Sequence, residues 1–408
     1  MRIVVSGAGL GGLVLAHALR EHADVIVVDR DAHPADTGGY RIALTPEAVA
    51  VIERHVPAHL VDRIRSVSDG PETFSQFTIA DARLRPIVVA PEPPGQDRML
   101  CQRRALRQIL AEGLGDSIRF SSTVISAASH DDGATVTLAD GTHLDADLVV
   151  AADGARSATL RSLGADTSTD TGLIGIAGST PLGRTTRYPR YLLRGPALAI
   201  DRRGLGMFLS LTSRGLRRIP DDLADAVGPP SLVWGLIARR DTIGDVLTAS
   251  ADELAATASA LTRRWTPWMP EMIEHTDPGR TAAFSFRAAD PKAARFPWSP
   301  CRITAVGDAV HAMPPTGGRA GSTAIRSSGA LAEALIAEGD VDAAVARYQS
   351  QVDEWAAPAI IESLGPVRAI RALRHPLAQL AAGPALAVAG IVGAASYRRA
   401  GDGAWSAR

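Results

Sequence analysis

The six residues Gly7-Ala8-Gly9-Leu10-Gly11-Gly12 constrain the fold more than any other feature of this chain. They stand between an apolar run, Ile3-Val4-Val5, and a helical pattern in which Leu13, Leu15, Ala16 and Leu19 give an apolar face. A second run, Val25-Ile26-Val27-Val28, is continuous, as suits a parallel strand buried on both faces. In this setting Gly7 allows a tight turn, Gly9 lets backbone approach a pyrophosphate, and Gly12 lets the helix pack on the strand. The helix start then offers free N–H groups to phosphate. Asp29 ends the second strand, where a carboxylate accepts hydrogen bonds from a ribose, and Arg30 beside it is a further candidate contact. A bound dinucleotide is the expectation.

Two later signals point to the same ligand. Asp153-Gly154-Ala155-Arg156-Ser157 follows the strand-like Leu148–Ala152, though alone it could be an ordinary aspartate-glycine turn. Gly307-Asp308-Ala309-Val310-His311 follows the short apolar run Ile303–Val306 and leads into a Pro/Gly-rich stretch ending at Gly321, where a long helix should start. A carboxylate at Asp308, at the end of a buried strand, is placed to accept from sugar-like hydroxyls. Arg41, after Gly38-Gly39-Tyr40, reads equally as a pocket residue or a surface guanidinium.

Between these signals the pattern changes. A helix should follow Thr45-Pro46, and 103–112 reads as another. Residues 73–100 are irregular and Pro-rich. Ser122–Ala127, Ala134–Leu138 and Ala146–Ala151 read as strands, with Asp132-Gly133 and Asp140-Gly141 as turns. From 172 to 286 the reading is mostly strands, with a helix near Asp252–Thr266. The chain thus leaves its nucleotide domain and returns to it.

A chain of 408 residues has room for two or three lobes. A net charge of −1 without a basic tract argues against a nucleic-acid partner. Lys292 is the only lysine, which removes most lysine chemistry. Cys101 and Cys301 form no metal-binding spacing, so no metal is expected. The chain enters a strand at Arg2, leaving no space for a signal peptide, and a reducing cytoplasm fits best. Residues 376–397 carry no charge and could span a bilayer by length. Their Ala/Gly-rich composition and Gly383-Pro384 favour packed or surface-lying helices over a membrane span.

The fingerprint, Asp-Gly-x-x-Ser and Gly-Asp-Ala-x-His, in this order, resemble the single-component flavoprotein monooxygenases of the para-hydroxybenzoate hydroxylase class. The resemblance covers nearly the whole chain. It implies FAD as cofactor, NADPH or NADH as transient reductant, molecular oxygen, and a small-molecule substrate hydroxylated through a flavin C4a-hydroperoxide. It also implies an α/β fold: a Rossmann-like FAD-binding domain (1–72, 101–171 and 287–338) interleaved with a β-rich substrate domain (73–100 and 172–286), plus C-terminal helices (339–408). Gly7, Gly9 and Gly12 would hold the pyrophosphate, Asp29 the ribose, Arg103 the phosphates and Asp308 the ribityl chain. Asp153 would lie by the groove near the cofactor, and Pro315, Gly317, Gly318, Ala320 and Gly321 would border the flavin ring.

The ring segment departs from the family's Pro-x-x-Gly-x-Gly-x-Asn and its following Arg-Asp pair. Here Ala320, Ser322 and Ser327 stand at the second Gly, the Asn and the Asp, and Arg319 puts a large cation beside a site that should hug a ring. After Ser157 the expected arginine position is Leu160, with Arg161 one later. The expected activity is hydroxylation of an aromatic or polyketide-like natural product. The alternative is a non-redox cyclisation or rearrangement on the same scaffold. No residue is singled out as catalytic, and His311 is expected to be structural.

Overall fold

A computed structural model describes residues 1–92, 97–183, 187–213, 216, 219–298 and 301–373. The uncharged segment 376–397 lies outside the described residues.

The chain opens as strand Arg2–Ser6, helix Leu10–Leu19 and strand Asp24–Val28. These strands sit in a five-stranded sheet ordered Ile303–Ala305, Leu148–Ala151, Arg2–Ser6, Asp24–Val28, Ile118–Arg119, every neighbour pair parallel. The N-terminal strand is therefore central, flanked by segments from far along the chain. Its Ile3, Val4 and Val5 are fully buried, as a continuous apolar run predicts. The helix Leu10–Leu19 is buried all round, packed between the sheet and the long helix Ala320–Glu338.

A seven-stranded sheet forms the second layer system. Its order is Ala282–Ala288, Thr169–Pro181, Ser231–Arg239, Gly206–Thr212, Ala197–Ile200, Gln76–Asp81, Pro86–Pro91. One face packs on helices Ala251–Thr262 and Trp268–Glu274 through Ile176, Met207, Trp234 and Leu236. At one end of the other face, Leu198, Ile237 and Phe286 meet Val367 and Ile370 of the helix Asp353–Ala372.

Two details differ from the sequence reading. Ala146–Ala151 is not one strand: His143–Ala146 closes an antiparallel hairpin, and Leu148–Ala151 joins the parallel sheet. Asp147 makes the break, its backbone N–H donating to Arg2 O (2.9 Å) and its carboxylate accepting from Arg2 N (2.6 Å). The helix near 252–266 stops at Thr262, and Pro267 caps a second helix from Trp268, consistent with proline favouring a helix start over an interior position. Among the described residues no helix is long and apolar enough to cross a membrane.

Candidate active site

The glycine turn is strained where the sequence requires it. Gly7 has φ +112°, and a Cβ there would sit 2.6 Å from the carbonyl carbon of Ala152. A Cβ on Gly12 would collide with the Gly7 carbonyl oxygen. Gly9 behaves differently, since its Cβ would meet only Ala152 O, at 3.9 Å. The protein itself leaves space over Gly9, and a closely approaching ligand is what would require glycine there. No side chain caps the helix that follows, so its first N–H groups are free for an anion.

Asp29 is tied into this turn. Its carboxylate accepts from Ala8 N (2.6 Å) and Asp31 N (2.8 Å) and pairs with Arg107 at 3.1 Å. Arg107 is 3% exposed, donates through Nε to Ala8 O (2.7 Å) and pairs with Asp31 at 2.6 Å. The sequence reading missed Arg107. It lies four residues after Arg103 on the helix Arg103–Ala111, a spacing that places both on one face. Arg30 is 81% exposed and stands 3.9 Å from Asp31, at the solvent edge of this cluster.

The other end of the cradle is assembled by packing. Gly307, at φ +65°, would place a Cβ 3.3 Å from the Ala324 Cβ, and a Cβ on Gly11 would be 3.5 Å from the same atom. One methyl group on the helix Ala320–Glu338 therefore brings the two glycine signals together. Beyond Gly307, Asp308 has a buried Oδ1 with no hydrogen-bond partner. Burial pushes its carboxyl up to about 6, while Arg103 pulls the other way. Arg103 is held by its backbone, N–H to Tyr40 O at 2.6 Å, and its Nε is likewise buried without an acceptor. Asp153 uses Oδ2 on Ala158 N (2.9 Å) and Thr159 N (3.2 Å), and its Oδ1 is also buried and unpaired.

The ring-side segment is held by the helix Asp353–Ala372. Pro315–Gly317 is a single 3₁₀ turn ended by Gly318 at φ +64°. Thr316 Oγ1 donates to Ser363 O (2.6 Å), and a Cβ on Gly317 would lie 2.9 Å from the Ser363 Cα. Arg319 makes two contacts with Glu362, at 3.0 and 3.2 Å, which carries its charge away from the turn. Ala320 packs beside Ala289, Met313, Ala359 and Ile360, and a Cβ on Gly321 would be 3.3 Å from Ile42 Cγ2. Ser322 Oγ accepts from Thr45 N (3.0 Å) and donates to Ala43 O (3.1 Å). Ser327 is fully buried, 2.7 Å from His311 Nε2 and 3.4 Å from Trp355 Nε1.

Two further positions are placed plainly. Arg41 is buried, with Asp69 at 3.1 Å, Ser210 Oγ at 2.9 Å, Thr73 Oγ1 at 3.1 Å and the Leu211 carbonyl as partners, so it is no surface guanidinium. Leu160 is buried in an apolar cluster, and Arg161 donates to Arg156 O (2.6 Å).

Comparison with known proteins points to the same kind of ligand. Residues 1–195 match the family model described as FAD binding domain. Residues 1–195 therefore resemble an FAD-binding domain. Its homologues and structural neighbours are FAD-dependent monooxygenases. It is 27% identical over 368 residues to the dual O-methyltransferase/FAD-dependent monooxygenase elcB of Phaeosphaeria nodorum, covering 81% of this chain and 39% of that protein. It is 28% identical over 406 residues to the chloroplastic zeaxanthin epoxidase of Solanum lycopersicum, covering 94% and 54%. The chain thus spans about half or less of the length of these two relatives. Klebsiella pneumoniae HpxO, solved with FAD and uric acid, shares the fold at TM-score 0.74 and 21% identity, over 95% of this chain and 92% of that one. The residues present suit FAD: uncapped N–H groups and a guanidinium for the phosphates, unpaired carboxylate oxygens for sugar hydroxyls, and open space above Gly9.

Proposed function

We propose that this protein is an NAD(P)H-consuming, FAD-dependent monooxygenase that hydroxylates a small aromatic or polyketide-like compound. One observation carries the reading. Arg103 Nε, Asp153 Oδ1 and Asp308 Oδ1 are buried polar atoms without protein partners, in a fold whose relatives bind FAD. An unpaired buried polar group costs roughly 1–3 kcal/mol, so a shared ligand that satisfies them explains their retention.

In this reading Gly7, Gly9 and Gly12 take the pyrophosphate, Asp29 the ribose, Arg103 the phosphates and Asp308 the ribityl hydroxyls. Arg107 keeps Asp29 and the Ala8 carbonyl in register. Pro315, Gly317, Gly318, Ala320 and Gly321 border the ring. The nucleotide lobe comprises 1–72, 101–171 and 287–338, and 73–100 with 172–286 cover the substrate. Bound FAD supplies electron transfer from NAD(P)H to oxygen, one oxygen atom entering a substrate C–H as hydroxyl and the other leaving as water. The protein's part is to orient the substrate and exclude water from it. Two free cysteines suit action in a reducing cytoplasm.

The test is the visible spectrum of the purified protein after incubation with FAD and desalting. Retained flavin that bleaches with NADPH under nitrogen and recovers in air is expected. A protein that cannot be loaded would end this reading and turn the search to the non-redox alternative.

A further inference from the structure

The seven-stranded sheet has an unusual exposure pattern on the face opposite its two helices. Ala177, Gly235 and Phe208 are register partners on three adjacent strands, forming a row across the sheet. Side chains on this face are placed by contact: a Cβ on Gly235 would lie 3.7 Å from Phe208 Cβ and 4.0 Å from Ala177 Cβ, ordinary packing distances. Two residues along the same strand in either direction, Val233 and Ile237 are buried, as is Ser210 beyond Phe208. Gly235 and Phe208 are only half-buried, although both stand on interior strands. Sheet interiors are exposed in this way only where something has been left uncovered.

Both flanks of the row are covered. On one side the helix Asp353–Ala372 seats Val367 and Ile370 on Leu198, Ile237 and Phe286. On the other, Tyr40 donates its hydroxyl to Ala177 O (2.7 Å), and Arg41 reaches Ser210. Both bracing groups come from the segment that also positions Arg103, and the same helix braces the Pro315–Gly318 turn. Ala177 is buried, and the uncovered part of the row, Gly235 and Phe208, therefore faces the nucleotide lobe between the two elements that border the proposed ring site.

Its chemistry is uniform. The row offers a methyl group, a bare backbone and a phenyl ring, and the next pair, Gly175 with Phe284, adds a second ring stacked on Phe286 at 5.5 Å. None of these side chains can carry charge or balance one. Arg41, at the margin, is already neutralised by Asp69 at 3.1 Å, and its Nε is a buried N–H left without an acceptor. A carboxylate laid on this floor would lose its hydration without gaining a cation from the row's own side chains, which costs far more than burying a neutral ring. A flat ring gains from stacking on Phe208, and one neutral oxygen suits a single donor.

We infer that the Ala177–Gly235–Phe208 row is the floor of the substrate site, that it selects an uncharged, flat, largely apolar substrate with one neutral oxygen, and that Gly235 sets how closely that substrate approaches. This inference rests on the cofactor reading above only for what lies over the floor.

The test titrates FAD-loaded protein with 1-naphthol and with 1-hydroxy-2-naphthoate, which differ by one carboxylate, and follows the flavin spectrum. Naphthol binding at least about 10-fold tighter is expected. Gly235→Leu should abolish that response while FAD affinity and the melting temperature stay near wild type. Phe208→Arg should raise affinity for the carboxylate probe and covers the case in which Gly235→Leu does not fold. Equal or tighter binding of the carboxylate, binding of neither probe, or an unchanged response in both variants would overturn the inference. Repeating the titration on flavin-free protein by naphthol fluorescence separates the two readings. Naphthol binding that persists in a protein unable to load FAD would sink the cofactor and leave the floor.

Discussion

The Gly7–Gly12 turn meets the Pro315–Ser327 segment at Ala324, through Gly11, but the two keep their shapes by different means. At the first, the two tightest glycines answer to backbone a few residues away or in the adjacent strand: Gly7 to Ala152, Gly12 to Gly7. At the second, the shape is held by side chains from other elements. Arg319 is turned out by Glu362, Ser322 bridges to Ala43 and Thr45, and Ser327 fills a buried site between His311 and Trp355. A backbone-determined site tolerates almost no change of spelling. A site held by neighbours can be respelled if the neighbours change too, and here they have partners for each altered residue.

The sharpest way to break this comparison is to substitute glycines that differ in what they face. Gly12→Val should leave no folded, flavin-binding protein, since the new side chain has nowhere to go against the Gly7 carbonyl. Gly9→Val should fold, with a melting temperature close to wild type, and yet fail to retain FAD on desalting. If Gly9→Val binds FAD normally, the open space above Gly9 is not the pyrophosphate site. Next in size is Asp308→Ala, which removes an acceptor proposed to meet the ribityl chain. Affinity for FAD should fall about 10- to 100-fold, matching the 1.5–3 kcal/mol of hydrogen bonds to a charged group. Fluorescence quenching on FAD binding would measure it.

Acid should weaken both regions together. Burial lowers His17 and His311 to about 4, from an ordinary value of 6.5. Between those values the unfolded chain binds protons that the folded one refuses, so stability is present above about 6.5 and is lost as pH falls towards 4. Asp308 has the opposite sign, its raised carboxyl favouring the fold as pH falls through about 6. Two imidazoles against one carboxyl leave a net loss of a few kcal/mol. Urea midpoints of the flavin-free protein at pH 7 and pH 5 should differ accordingly, and a midpoint that rises at pH 5 would show that these histidines are not buried neutral.

The first region was legible because its determinants are local. Strand, turn, helix and Asp29 all fall within the first 29 residues, and their continuous apolar runs suit buried parallel strands. Arg103 and Asp308 were readable from motif context, but their approach to each other was not, since it depends on packing between distant segments. Arg107 carried the only missed signal a sequence could have offered, its helical spacing from Arg103. The reading of Arg319 as an obstacle to a ring was natural without knowledge of Glu362, 43 residues away. Gly235 and Phe208 look like ordinary strand residues until the uneven covering of their sheet is seen.

Ser327 tests whether the respelled segment depends on its neighbours. Ser327→Ala leaves His311 Nε2 without its partner in a fully buried site, at a cost of about 1–3 kcal/mol. Ser327→Asp restores the carboxylate of the family pattern and adds bulk and a charge beside an imidazole that burial keeps neutral. Both should lower the melting temperature, the aspartate more at pH 7 than at pH 5.5, where a protonated His311 would answer it.

The smallest effect belongs to Arg319 and Glu362. Their side chains are 37% and 53% exposed, and an ion pair this open contributes about 0–1 kcal/mol. Arg319→Glu alone and Glu362→Arg alone should each weaken FAD binding by no more than a few-fold, through the loosened Pro315–Gly318 turn, and the double exchange should recover most of the loss. The sign of the two singles matters more than their size, because charges acting only through their long-range field would shift binding in opposite directions in Arg319→Glu and Glu362→Arg, whereas a direct pair weakens it in both and is recovered in the double. Two single effects that simply add would mean that the turn is held by Thr316 and Gly317 against Ser363 alone, and that this arginine is an accommodated passenger of the respelled motif.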